Sequence, residues 1–376
     1  MRLVIYSFCL FFLVSSLYAQ VEENAYQLNS RENLLTTQVK NILDENLINK
    51  RVVFVGESEH HIGSEFLVKT EFVKYLVLEK GYTDIAFESD FFGLFYEHDK
   101  KNILGIWSNS EQCQGLFEFL EKHNVTIWGF DNQMFSPYAY FNFSKKLEEF
   151  LNENKVEYDA KFIQLSDLVV KSRFELKNQI NKKDLKYLRE TVNTLLDNVR
   201  IQSNPVWNHI LKSFKTTIPM LTAKNDTEGI AIRDAQMAKN LDFLVKTMPD
   251  KKFIVWLANA HMTKYEYEFM KGQTMGGQFV KMNPEISYHI AISSIYMPYR
   301  SGIKKASKDK ENLLHFLPST KNNYFIDSKQ LIKDYPEFSE KEYQGMFNLK
   351  KNKTNWFKHF DALVFISKGE KVRFLD

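Results

Sequence analysis

The chain of 376 residues is poor in cysteine, proline and glycine, with 2, 8 and 14 of them. Two cysteines cannot build a disulfide framework, and so little proline and glycine excludes collagen-like and low-complexity chains. A surplus of one charge is also missing: 50 Lys+Arg stand against 47 Asp+Glu, a formal +3 with both signs interspersed. A dedicated nucleic-acid binder concentrates basic charge on one face, so no nucleic-acid partner is expected. The Lys-rich runs at 304–310 and 350–353 are interrupted by acidic or polar residues and read as solvated loops. Beyond the N-terminus no stretch is long and uncharged enough to span a bilayer. What is present is a globular composition, 44% hydrophobic, 15% aromatic and 26% charged.

Residues 1–19 form a separate object. Arg2 supplies a short positive region, residues 3–14 are almost wholly apolar, and a small residue, Ala19, precedes Gln20. This is the pattern of a secretory signal peptide cut after Ala19, since the apolar run falls short of the ~20 residues a span requires. Cleavage would remove Cys9 and leave Cys113 as a lone thiol with no basic cluster near it in sequence, expected to be buried and inert. The expected product is exported, periplasmic or secreted, with no integral membrane segment and no intramolecular disulfide.

Six short β-branched or aromatic runs at 51–56, 83–88, 125–131, 253–258, 287–293 and 361–367 read as strands buried on both faces. Helical periodicity at 65–80 and 111–124 separates the early ones, and such alternation predicts an α/β fold with a mostly parallel sheet flanked by helices. From about 139 to 249 the pattern is nearly all helical, and it reads as a large insertion within one α/β domain spanning 20–376. Helices are expected there at 143–154, 160–177, 183–202, 205–222 and 228–246.

Polar residues gather where the expected strands end. The first runs into Gly56-Glu57-Ser58-Glu59-His60, the second ends at Glu88, the third at Asp131-Asn132-Gln133 and the fourth at Asn259-Ala260-His261. In an open α/β sheet the carboxyl ends of parallel strands form the crevice where ligands bind. Histidines and carboxylates converging there could move protons or hold a metal. Arg233 lies one turn from Met237 on the apolar side of its helix, so its guanidinium needs an anion, either a structural carboxylate such as Asp131 or a substrate oxyanion.

These motifs together resemble the erythromycin esterase family. The resemblance rests on the Gly56–His60 segment, Ser64-Glu65-Phe66, Ala86-Phe87-Glu88, Gly129-Phe130-Asp131-Asn132-Gln133, and Arg233-Asp234 with Met237-Ala238 and Asn240-Leu241. Trp256 with Asn259 and His261, Met275-Gly276 and Phe360-Asp361-Ala362 complete it, in the family's order and over most of the chain. It implies an α/β core with a helical insertion and hydrolysis of a carboxylic ester or lactone, a small molecule, without a cofactor or metal. His60 would be the base that activates water, Glu57 and Glu88 its carboxylate supports, and His261 a second histidine of the site. Arg233, Lys69, Asp131, Gln133 and Asn259 would bind substrate. No Gly-x-Ser-x-Gly elbow is present, which favours water over serine as nucleophile.

The chain departs from the family pattern in three places. Where the family has Trp-Ala-His-Asn-x-His, Ala258 replaces the first histidine; His61 replaces a glycine, and Lys69 an arginine. The missing histidine leaves open a different ester or a non-catalytic binding relative. A metal-dependent hydrolase built from Glu57, His60, Glu88 and His261 is the remaining alternative, although no His-Glu-x-x-His motif supports it.

Overall fold

The computed structural model describes residues 21–30, 33–265, 274–297, 308–346 and 353–375. The expected signal peptide lies outside them, as do most of the two Lys-rich runs. The described residues form one eight-stranded sheet: β1 Ala25–Leu28, β2 Val52–Glu57, β3 Asp84–Asp90, β4 Thr126–Asp131, β5 Phe253–Ala258, β6 Ser287–Tyr296, β7 Asn323–Asp327 and β8 Ala362–Lys368. Their order across the sheet is β1-β7-β8-β6-β2-β5-β3-β4. Only β7 runs against the others, through its antiparallel pairing with β1 and β8. The mostly parallel α/β reading is therefore correct, with two strands that the sequence pattern did not announce. Ala-Tyr-Gln-Leu of β1 is short and half-polar, and β7 lies in a Lys- and Asn-rich stretch without periodicity.

Side chains of a strand point alternately to its two faces, and both faces here are covered. Val53 and Val55 of β2 join a core under the helices Thr37–Asn46, Gly63–Lys80 and Glu111–Lys122. Val52 and Phe54 join a second core shared with the helices between β4 and β5. Burial on both sides explains why the central strands are continuously apolar rather than alternating.

Between β4 and β5 the longer helices are Pro137–Glu153, Ala160–Ser172, Lys182–Leu196, Pro205–Leu221 and Asp226–Thr247. Each starts at a residue whose short polar side chain accepts a backbone N–H of the first turn: Ser136, Asp159, Asn181, Asn204 and Asn225. Two of the expected helices stop earlier than the apolar pattern suggested. The one from 160 ends at Arg173, which has φ 51°, and the one from 183 ends at Asp197, after which Asn198 caps a new short turn. Apolar spacing survives such breaks, so periodicity alone runs through them.

Candidate active site

The parallel neighbours β2, β5, β3 and β4 end side by side. Val52 pairs with Phe253, Asp84 with Phe253 and with Thr126, and Glu57 with Ala258. This register brings Glu57, Glu88, Asp131 and the turn after Ala258 to one edge of the sheet, the crevice position of an open α/β fold. The Asp226–Thr247 helix crosses that edge and delivers Arg233 and Asp234.

Two imidazole–carboxylate pairs face the crevice. His60 Nδ1 lies 2.8 Å from Glu57 Oε1, and His261 Nδ1 lies 2.7 Å from Asp234 Oδ1. A carboxylate only accepts, so each Nδ1 carries the proton and each Nε2 is left for other partners. For His60, burial pulls the pKa down, but the hydrogen bond and charge of Glu57, with Glu88 behind, carry it above the ordinary imidazole value. Its side chain is 33% exposed, the most open of the cluster. Burial also opposes the charge on His261, yet Asp234 and Glu88 outweigh it and raise the pKa to about 9. The two rings differ in setting: His60 is the more open to solvent, whereas His261 is enclosed by Asp234, Glu88 and Arg233.

Glu57 is fully buried and sits between His60 and Lys69. Lys69 was expected to bind substrate, but it is completely buried at the floor: its ammonium donates to Glu57 Oε2 and to Leu257 O at 3.1 Å, and lies 3.9 Å over the Trp256 ring. The correction follows from its place in the second turn of the Gly63–Lys80 helix, packed inward against β2. Lys69 neutralises a buried carboxylate and cannot reach a ligand in the crevice.

Glu88 was expected to support His60; its hydrogen bonds go elsewhere. Oε1 accepts from Arg233 Nη2 at 2.7 Å and faces His261 Nε2 at 3.4 Å, while Oε2 accepts from the Ala258 N–H at 3.0 Å. Burial raises its pKa, but the charges of His261, Arg233 and His60 overcome that and hold it at about 2. Arg233 also donates to Asp131 through Nε, 3.1 and 3.0 Å from its two oxygens, and through Nη2 at 2.5 Å. Nη1 is the nitrogen these acids leave available, and it lies 3.4 Å from His261 Nε2. Both readings of the arginine meet in one geometry: it is a buried ion-pair partner and it still shows a donor at the crevice.

Gln133 and Asn259 do not join the cluster. Gln133 contributes only its backbone N–H, donated to Asp131 Oδ1 at 2.9 Å. Asn259 is fully buried and donates to Ile292 O at 2.8 Å, tying β5 to β6 beneath the site. Asp234 was not among the expected site residues, although it adjoins Arg233 in the motif that carried the resemblance. Its second oxygen accepts the Met275 N–H at 3.0 Å, which gives the Met275-Gly276 motif a purpose. Glu65 was missed for the same reason. It is fully buried beside the Glu57–His60 turn, accepting from Ser58 N at 2.6 Å and Ser294 N at 2.8 Å. Among the described residues no three His, Cys, Asp or Glu side chains converge in a way that could hold a metal ion.

Comparison with known proteins gives the family and the fold. The profile of the family described as Erythromycin esterase matches residues 77–292, more than half of the chain. The chain belongs to the erythromycin esterase family. Among curated proteins, YbfO of Bacillus subtilis (strain 168), whose name assigns it provisionally as a hydrolase, is 23% identical over 293 residues, 65% of this chain. The aligned part spans 64% of that relative's length. Solved structures of a succinoglycan biosynthesis protein and of a mutant erythromycin esterase, EreC, in its open conformation share the fold. The first has TM-score 0.75 at 14% identity, covering 96% of this chain and 98% of its own. The second has TM-score 0.70 at 15% identity, covering 94% and 99%.

Proposed function

We propose that this member of the erythromycin esterase family is a hydrolase that cleaves a carboxylic ester or lactone of a small molecule with water activated by His60. The observation that carries the reading is the placement of the two histidines: His60, held by Glu57 through Nδ1, is the more exposed and its Nε2 has no hydrogen-bond partner among the described residues, while His261 is enclosed beside Arg233. His60 Nε2 takes a proton from water as the oxygen adds to the ester carbonyl, and Glu57 stabilises the imidazolium that forms. The negative charge developing on the carbonyl oxygen is met by Arg233 Nη1 and the His261 Nε2–H. Collapse of the tetrahedral adduct breaks the bond to the alkoxide, which recovers the proton from His60, leaving an acid and an alcohol. Ala258, in place of the family's first histidine, contributes its backbone N–H to Glu88, so the remaining dyads carry the chemistry without that ring.

The reading includes export, on the strength of the charged, apolar and small-residue pattern of residues 1–19. Mass spectrometry of the expressed protein tests this directly; a chain retaining Met1 in the cytosolic fraction contradicts it. For the reaction, a panel of aryl esters and macrolactones is assayed with the wild type and His60→Ala. Hydrolysis abolished in a variant of unchanged melting temperature is expected, and retention of most of kcat removes His60 from the mechanism.

A further inference from the structure

At its C-terminal end β2 parts from β6. Gly56, opposite Ala291, is the last β2 residue in register with that strand, while β5 follows β2 one residue further, to Glu57 opposite Ala258. Past this fork the Ser58 N–H and the Ser294 N–H need acceptors that the ladder no longer supplies. One side chain serves both. Glu65, in the first turn of the Gly63–Lys80 helix, accepts the Ser58 N–H through Oε2 at 2.6 Å and the Ser294 N–H through Oε1 at 2.8 Å. The hydroxyls of the same two serines also donate to Oε1, from Ser58 at 2.9 Å and from Ser294 at 2.7 Å.

The Ser58 end of this grip bears on the chemistry, because Ser58 lies between Glu57 and His60. Lys69 fixes the Glu57 carboxylate from behind, and the turn must bring His60 Nδ1 back to within 2.8 Å of Glu57 Oε1. The far end of the turn is tied down separately: the Ile62 N–H donates to Glu59 O at 3.2 Å, and His61 O accepts the Val372 N–H at 3.0 Å. Glu65 holds the near end, where the chain leaves the strand. It is fully buried and does not face the crevice. Burial pushes its pKa up to about 7, against the pull of the bonds from Ser294 and Ser58. A carboxylate can accept all four donors, whereas an amide must turn its NH2 toward one side of the fork, donor against donor.

We propose that Glu65 is a positioning residue for hydrolysis: by gripping Ser58 at the fork, it sets the turn so that His60 Nδ1 meets Glu57 and Nε2 is left for water. That role rests on His60 being the base of the proposed reaction. Glu65 touches neither water nor substrate and acts through the turn alone. Placement matters to a base, since a shift of about 1 Å at a reacting group costs on the order of 10²-fold in rate.

Histidine NMR titration of the full chain tests the placement directly and needs no substrate. Burial pulls the His60 pKa down, but the hydrogen bond and charge of Glu57, with Glu88 behind, raise it above 6.5 against the charge of His261. In Glu65→Gln the contact with Glu57 slackens, so the His60 titration is expected to move down toward 6.5. With the ester substrate, kcat should fall by about tenfold or more while KM stays within about twofold. Glu65→Asp keeps the charge but is one methylene too short to span Ser58 and Ser294, and the same changes are expected. In the wild type the Ser58 amide should exchange with solvent as slowly as the β2 amides, a measurement that does not depend on any variant folding. An unchanged His60 titration in a folded Gln variant, an aspartate that restores the wild-type titration and kcat, or fast exchange at Ser58 overturns the proposal. A titration that moves while kcat stays overturns the reading of His60 as the base, and leaves the grip of Glu65 on the turn in place.

Discussion

Arg233 joins the Asp226–Thr247 helix to β3 and β4 through buried ion pairs, and its loss has two separable consequences. Arg233→Met leaves Glu88 and Asp131 buried without their cation, a change expected to cost about 3–5 kcal/mol and to appear as a lower denaturation midpoint. Arg233→Lys keeps the charge but cannot donate to both acids and to the crevice together. Its kcat is expected to fall by roughly 10²-fold or more, the scale of one oxyanion donor, with a smaller loss of stability. A lysine variant that turns over normally rules the arginine out of the reaction. His261 sets the pH behaviour. Its folded pKa of about 9 lies above its ordinary value of 6.5, so the native state holds the proton more tightly than the unfolded chain. The stabilisation is fully present below pH 6.5 and is lost as pH rises through about 9. The rate kcat/KM should decline over the same alkaline limb, because the reaction uses the imidazolium. Asp234→Asn removes the main favourable charge and should move that limb to lower pH; a limb that stays in place disconnects His261 from the profile.

At the scale of elements, the close approach of β2 to the turn after β5 is what lets the histidine-bearing loops meet. A Cβ on Gly56 would lie 2.3 Å from Asn259 Oδ1 and 2.8 Å from Met262 Sδ, inside the van der Waals envelope of both. Gly56→Ala therefore forces β2 away from the His261 turn. A loss of about 1–3 kcal/mol, typical of an overpacked core, is expected in chemical denaturation, with reduced activity even where the fold survives. An alanine variant of native stability and rate would show that the turn yields freely. The helix carrying Arg233 and Asp234 has its own device at the start: Asn225 accepts from the Glu228 N–H at 3.0 Å. Its N-cap, like those of the other longer helices between β4 and β5, is legible in the sequence as Ser, Asp or Asn before the apolar run. The breaks at Arg173 and Asp197 were not, because residues on both sides keep the same apolar face toward the shared core.

The described residues rest on two apolar cores, one on each face of the sheet, and Cys113 lies within the one under the Gly63–Lys80 and Glu111–Lys122 helices. Its thiol is buried, and burial pushes its pKa to about 12, despite Lys69 and the Ser110 hydrogen bond. Thiolate forms only when the core opens, so labelling at Cys113, followed by peptide mass spectrometry, should track unfolding by denaturant rather than thiol reagent concentration. Rapid labelling of the native protein would place Cys113 at an accessible surface and contradict this packing.

The sequence by itself determined the sheet's central strands and the residues at their ends. Uninterrupted runs such as RVVFVG and FIVWLA state their own burial, and Glu57, His60, Glu88, Asp131 and His261 follow them directly. It also carried the family, because those motifs occur in order along the chain. Tertiary structure alone decided who pairs with whom. Glu57, three residues from His60, is its partner, but Glu88 turns to Arg233, which is 145 positions away, and Lys69 goes under the site instead of into it. Such choices depend on strand order, which places β5 between β2 and β3, and on a helix packed across the strand ends. Hydrogen-bond partners of buried charges are set by that three-dimensional register, and a linear spacing contains no record of it.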